Sequence, residues 1–137
     1  MAVNTRTEYA LRALLEIADM GGSSISAQSI CERQQLPKKY VEHLLSALKK
    51  AGLVVSSSGS KGGYTLERPL AQISLYDVLE AVEDHTPELG CAEHKQHCMG
   101  ASCRIKSILG DVAEKQRALY KTYTLDQFGP SKGKEQR

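Results

Sequence analysis

No stretch of this 137-residue chain approaches the roughly eighteen consecutive apolar residues of a membrane-spanning helix. Its first residues, MAVNTRTEY, lack the basic and apolar regions of a signal peptide, so the protein is expected to be cytoplasmic. It also lacks a glycine loop followed by Lys-Ser or Lys-Thr, the pattern that cradles nucleotide phosphates; Gly59 and Gly62-Gly63 suit a turn instead. The four histidines, His43, His85, His94 and His97, form no recognisable triad with a nucleophile. The chain therefore does not read as an enzyme. Lys and Arg are missing from Ser74 to Glu88, where five acidic residues stand. From Cys31 to Lys61 the balance reverses, six basic residues against two acidic ones, and a net charge of +2 conceals the split. The basic segment, Cys31 to Lys61, has the charge to face a polyanion and the acidic one does not.

Cysteine is scarce too, yet three of the four are crowded into thirteen residues. Cys91, Cys98 and Cys103 lie in GCAEHKQHCMGASC, with six residues in the first gap and four in the second. In a reducing cytoplasm such cysteines are metal ligands or redox sensors rather than disulfide partners. Soft thiolates select zinc, copper(I) or an iron-sulfur cluster. His94 and His97 lie inside the same loop, and either imidazole can complete a site of three sulfurs and one nitrogen. Cys31 stands alone in an amphipathic stretch and reads as a small buried hydrophobe.

Apolar spacing predicts a helix from about Thr5 to Met20, stopped by Gly21-Gly22. Ser26 caps a short helix to about Gln35, and Leu36-Pro37 turns the chain. A third helix from Lys38 to about Ala51 places Val41, Leu44, Leu45 and Leu48 on one face. Leu53-Val54-Val55 and Tyr64-Thr65-Leu66 then predict a hairpin around the loop from Ser56 to Gly63. Three helices and a hairpin in this order predict a winged helix-turn-helix, a mostly α fold of the α+β class. Lys38, Lys39, Tyr40, Glu42 and His43 lie at the start and on the exposed side of the third helix, where they can meet base edges or phosphates of double-stranded DNA. Gln28, Ser29 and Thr7 are candidate phosphate contacts, and Ser58 and Lys61 occupy the hairpin loop. Ser74 and Asp77 form a capping-box pattern before a fourth helix that ends near Glu83.

A last long helix is expected from about Ser102 to Tyr120, with Ile105, Ile108, Leu109, Val112, Leu119 and Tyr120 in a stripe larger than a small winged helix needs. A two-fold homodimer seam would bury the excess. Thr124 is expected to cap a short turn holding Leu125 and Phe128. The resulting division is 1–70 for DNA binding, 71–90 for a connecting helix, 91–103 for the cysteine loop, 104–128 for the dimerisation helix and terminal turn, and 129–137 for a flexible tail.

GLVVSSSGSKGGYTLERP, followed by ISLYDVLEAVE, the three-cysteine loop and the long terminal helix, resembles the winged-helix repressors of the IscR and NsrR group. The resemblance runs from Thr5 to about Phe128. It implies a homodimeric transcription regulator that binds a near-palindromic operator under the control of an iron-sulfur cluster, of 4Fe-4S or 2Fe-2S type. Cys91, Cys98 and Cys103 are the implied ligands. The cysteine spacing departs from the even spacing common in the group. Lys106 stands where the IscR branch has a ligating histidine, and an ammonium cannot ligate. The NsrR branch instead implies a carboxylate from the partner subunit's first helix, and Glu8 stands at that place, with His94 and His97 as alternatives. Ser58 replaces an arginine that relatives carry before the first wing glycine, which leaves Lys61 for minor-groove contact. Zinc or a bare thiol switch on the same fold is the alternative reading. Electron transfer fits less well, because such centres are normally held by four thiolates.

Overall fold

A computed structural model describes residues 2–83 and 99–129. The expectations for Cys91, His94, His97 and Cys98 fall on residues outside that set, as does the tail beyond Gly129. Helix α1, Thr5–Asp19, starts where the Asn4 side chain accepts from the Thr7 backbone N–H at 3.0 Å. It buries Ala10, Leu11, Ala13, Leu14 and Ile17. Thr7 is fully buried, and its hydroxyl donates to the same Asn4 oxygen. The expectation that Thr7 contacts phosphate is thus corrected: its hydroxyl is consumed in the cap, beneath the surface.

Helix α2, Ala27–Gln34, is capped by Ser26, whose Oγ accepts from the Ser29 N–H at 3.1 Å. Gln35 ends it in the left-handed conformation with φ 55°, and the turn buries Leu36 before helix α3, Lys38–Lys50, begins behind Pro37. Val41, Leu44, Leu45 and Leu48 of α3 are buried against α1, α2 and the fourth helix. Each such burial contributes about 1.5–3 kcal/mol before entropy is counted. Arg12 of α1 donates through Nε to Gln34 Oε1 at 2.8 Å, and Gln34 Nε2 donates to Glu16 at 2.6 Å, tying α1 to the end of α2.

Strands β1, Val54–Ser57, and β2, Gly63–Leu66, pair antiparallel with Val54 opposite Leu66 and Ser57 opposite Gly63. The hairpin was expected, with strands one to two residues shorter at the loop end. A further connection was not. Ile25, between α1 and α2, exchanges two backbone hydrogen bonds with Tyr64, at 3.1 and 2.8 Å, and so adds an edge to the hairpin. This bridge holds the wing against the helical body. It is possible because position 63 has no side chain: a Cβ there would lie 2.5 Å from the Ile25 carbonyl oxygen, and φ is +157°.

Helix α4, Leu75–Val82, carries the predicted capping box, with Ser74 N–H donating to Asp77 at 2.9 Å and Asp77 N–H to Ser74 Oγ at 3.1 Å. The long helix α5, Lys106–Lys121, begins about four residues later than expected. A separate 3-10 turn, Gly100–Ser102, precedes it, and Cys103, in extended backbone at φ −69° and ψ 121°, breaks the path between them. The last turn, Leu125–Phe128, does follow Thr124, but the Thr124 side chain does not cap it, its hydroxyl donating instead to the Asp126 carboxylate. The turn docks: Leu125 is fully buried and its N–H donates to the Ile73 carbonyl at 3.0 Å. Among the described residues no helix is long and apolar enough to cross a membrane.

Replacing Gly63 by Ala is predicted to destabilise the protein by about 1–3 kcal/mol, through strain and loss of the Ile25 bridge. Thermal unfolding measures this, and an unchanged melting temperature would show that the bridge does not anchor the wing.

Candidate nucleic-acid interface and thiol site

The α2–α3 pair presents a helix whose inner face is fully spent on packing, so its remaining residues point outward. Lys38, Lys39, Glu42 and His43 are exposed on α3. Tyr40 is not among them: it is half-buried against the core, with its ring edge-on to Tyr9 at 5.5 Å and 86°. A ring that helps seat the helix is less available to a base edge. Gln28 is exposed, with its amide donating to Glu32 at 2.8 Å. Ser29 is half-buried, and its hydroxyl accepts from Ser26 Oγ at 3.1 Å. Both lie near the start of α2, where unpaired backbone N–H groups favour an anion. On the wing, Ser58 and Lys61 are exposed, and the Lys61 carbonyl accepts from Ser24 Oγ at 2.7 Å, so the loop is fixed while the ammonium is free to reach out. The structure thus brings the α3 residues, the start of α2 and the wing loop onto a body with one core. Arg12 escaped the sequence reading. Its guanidinium lies 5.5 Å from the Tyr9 ring centre and binds Gln34, which sets the helix pair relative to α1; its position four residues after Glu8 was the available signal.

Cys103 is the member of the cysteine trio that falls among the described residues, and no group of three metal-binding side chains occurs among those residues. It sits between the 3-10 turn and α5, half-exposed, and its sulfur accepts from the Lys106 N–H at 3.4 Å. Backbone N–H groups of Ile105 and Lys106 lower its thiol pKa below the ordinary value, with the Lys106 charge adding to the effect. Cys31 behaves oppositely. Burial, helped by the carboxylate of Glu42, pushes its thiol up, as befits a packed hydrophobe. Glu8 lies in the first turn of α1 with its side chain 62% exposed, and its 3.9 Å pair with Arg12 is long enough to leave the carboxylate open to another partner. A stabilised thiolate and an open carboxylate are donors that suit iron or zinc.

The fold and this helix pair define a winged-helix DNA-binding protein. Comparison with known proteins narrows the class: residues 3–129 match the family described as Rrf2, iron-dependent transcriptional regulator. The chain belongs to the Rrf2 family of transcriptional regulators. It is 35% identical to protein rrf2 of Nitratidesulfovibrio vulgaris over 127 residues, covering 91% of this chain and 85% of that one. The structure of T. potens IscR is similar over 100% of this chain and 97% of its own, with a TM-score of 0.71 and 26% identity. The oxidized form of Staphylococcus aureus CymR is similar over 97% and 99%, with a TM-score of 0.68 and 26% identity. The resemblance to the IscR type and the winged-helix fold therefore both stand.

Two predictions follow from this geometry. Lys39→Ala should weaken DNA binding about equally across sequences and lower the salt slope by about one, read by titration at several salt concentrations; an unchanged slope would remove Lys39 from the phosphate contacts. In metal-free protein Cys103 should alkylate faster than Cys31 near neutral pH, since a lowered pKa keeps it thiolate to lower pH. Peptide mass mapping of iodoacetamide-treated protein across pH reads both rates, and equal profiles would contradict the assignment.

Proposed function

We propose that this regulator works as a homodimer on a near-palindromic operator and that an iron-sulfur cluster governs its DNA binding. Cys91, Cys98 and Cys103 hold the cluster in this reading, and Glu8 of the partner subunit supplies the fourth ligand. The observation that carries it is the crowding of three cysteines into thirteen residues of sequence, with the described one, Cys103, accepting from the Lys106 N–H in a setting that lowers its thiol pKa. The family description, iron-dependent, points the same way. Residues 1–70 then bind DNA, 71–90 connect, 91–103 hold the cluster and 104–128 dimerise. The dimer draws its support from α5, which has no buried residue of its own and leaves Ile105, Ile108, Leu109, Val112 and Leu119 at 44–66% exposure. A soluble partner for so wide a stripe is most simply its own copy.

Held by these residues, a cluster would supply iron bonds that are lost when iron is oxidised, nitrosylated or withdrawn. The chain's own part is geometric. Glu8 lies on the helix whose Tyr9 packs against Tyr40 of the recognition helix, so a bond to Glu8 bears directly on the element that meets DNA. A carboxylate is a weaker iron ligand than a thiolate, which suits release in response to a signal. A second reading has its own support. The similarity to an oxidized form of CymR and the lowered Cys103 thiol favour a thiol switch without metal.

Protein purified without oxygen should show broad absorbance near or above roughly 400 nm with matched iron and sulfide. Cys98→Ala should abolish it and Glu8→Ala should leave a cluster that is lost faster. A colourless protein with one zinc, or with no metal and oxidant-sensitive DNA binding, would replace the cluster by one of the other two sites.

A further inference from the structure

Helix α4 ends at Val82 with no basic residue in its last turn, and Glu83 continues as extended backbone. Carbonyls at such an end have no partner within the helix and attract a cation or a donor. The donor comes from the other end of the fold. Arg6 of α1 donates through Nη1 to the Val82 carbonyl at 3.0 Å, across a separation of 76 residues. Next to it the Ala2 N–H donates to the Glu83 carboxylate at 3.1 Å, so the start of the chain is held to the same point twice.

That point has neighbours on both sides of the switch. In sequence, Glu83 leads into the segment that contains Cys91 and Cys98. In space, Arg6, Val82 and Glu83 share the walls of a cavity of about 420 Å³ with Tyr40 and His43 of the recognition helix. The recognition helix is packed on its inner face, and on this side it borders a cleft open to solvent that Arg6 and Val82 also line. The Arg6 bond joins the end of α4 to the helix that carries Glu8 two residues later. It therefore adds a polar tie between α4 and α1 to the apolar packing that joins both to α3.

We propose that Arg6 is a positioning residue which couples the state of the cysteine segment to the seating of the recognition helix, by holding the Val82 carbonyl from α1. This rests on the proposed control of DNA binding by the cysteines, whether they carry metal or act as thiols. Arg6 touches no DNA in this account, and its guanidinium is used within the fold.

The test compares operator affinity in two states of the full-length protein: as purified without oxygen, and after chelation and alkylation of the exposed thiols with iodoacetamide. In the parent the two affinities are expected to differ about fivefold or more. In Arg6→Met the ratio should fall towards one, while metal content and absorbance match the parent and amides in the last turn of α4 exchange faster with deuterium. Arg6→Gln serves the same comparison should the Met variant fail to fold, and Arg6→Lys, which keeps the charge and a donor, should restore most of the ratio. A parental ratio that survives both Arg6→Met and Arg6→Gln overturns the proposal alone. A parental ratio near one overturns the cysteine reading and this proposal together. A loss of about one in the salt slope on Arg6→Met would make Arg6 a phosphate contact instead and would also overturn it.

Discussion

The structure depends on filling one side of α3. Val41, Leu44, Leu45 and Leu48 leave water together, and α1, α2 and α4 are arranged to receive them. Removing one such leucine side chain typically costs about 2–5 kcal/mol, a large part of the stability of a domain this size. The same constraint creates the candidate binding surface. Once the apolar side is committed, a helix with 3.6 residues per turn must display the residues between, and here those are Lys38, Lys39, Glu42 and His43. Packing and recognition are two faces of one periodicity. Tyr40 sits at their boundary and goes to the packing side, because Tyr9 offers it an edge-on aromatic partner.

Much of this was legible in the sequence because it is local. The capping box at Ser74 and Asp77, the Ser26 cap, the breaks at Gly21-Gly22 and Leu36-Pro37, and the hairpin between Val54 and Leu66 each depend on a few neighbouring residues. What escaped was long-range. The pairing of Ile25 with Tyr64 has no signature near Ile25, since a two-bond bridge needs no strand pattern of its own. Thr7 looked available as a polar residue in a first turn, but only the finished cap and core show that it is covered. The late start of α5 reflects the extended backbone at Cys103 and its sulfur, which takes the Lys106 N–H that a continuous helix would have bonded elsewhere. For the site, the residue types were legible and the mutual arrangement was not. Three clustered cysteines raise the expectation of soft-ligand chemistry whatever the fold, while the contacts of Arg6 and Arg12 exist only once distant helices have met.

The two described cysteines show how one side chain serves opposite ends by placement. Cys31 lies within the core cluster, where a charged thiolate would be desolvated and a nearby carboxylate would repel it. Cys103 lies at a chain reversal where N–H groups converge on sulfur before they are committed to a helix. The first environment protects a thiol from metal and oxidant; the second prepares a thiolate for either. Reactivity is thus separated from packing within one short chain, which allows chemistry at Cys103 without cost to the core.

Charge is separated in the same manner. Ionic screening at physiological salt limits exposed charges to a range of about 8 Å, so a net charge of +2 says little about how this molecule meets DNA. The candidate DNA face instead carries a local set of exposed cations on α3 and the wing, Lys38, Lys39 and Lys61. The acidic run on α4 works against a different approach. Asp77, Glu80 and Glu83 line a groove with Lys50 and Arg68, where Arg68 approaches Asp77 at 3.9 Å. A duplex that came to α4 first would be repelled at close range and would find no free row of cations. One docking face is favoured by attraction and another is disfavoured by repulsion, and both follow from residues whose signs were fixed before the chain folded.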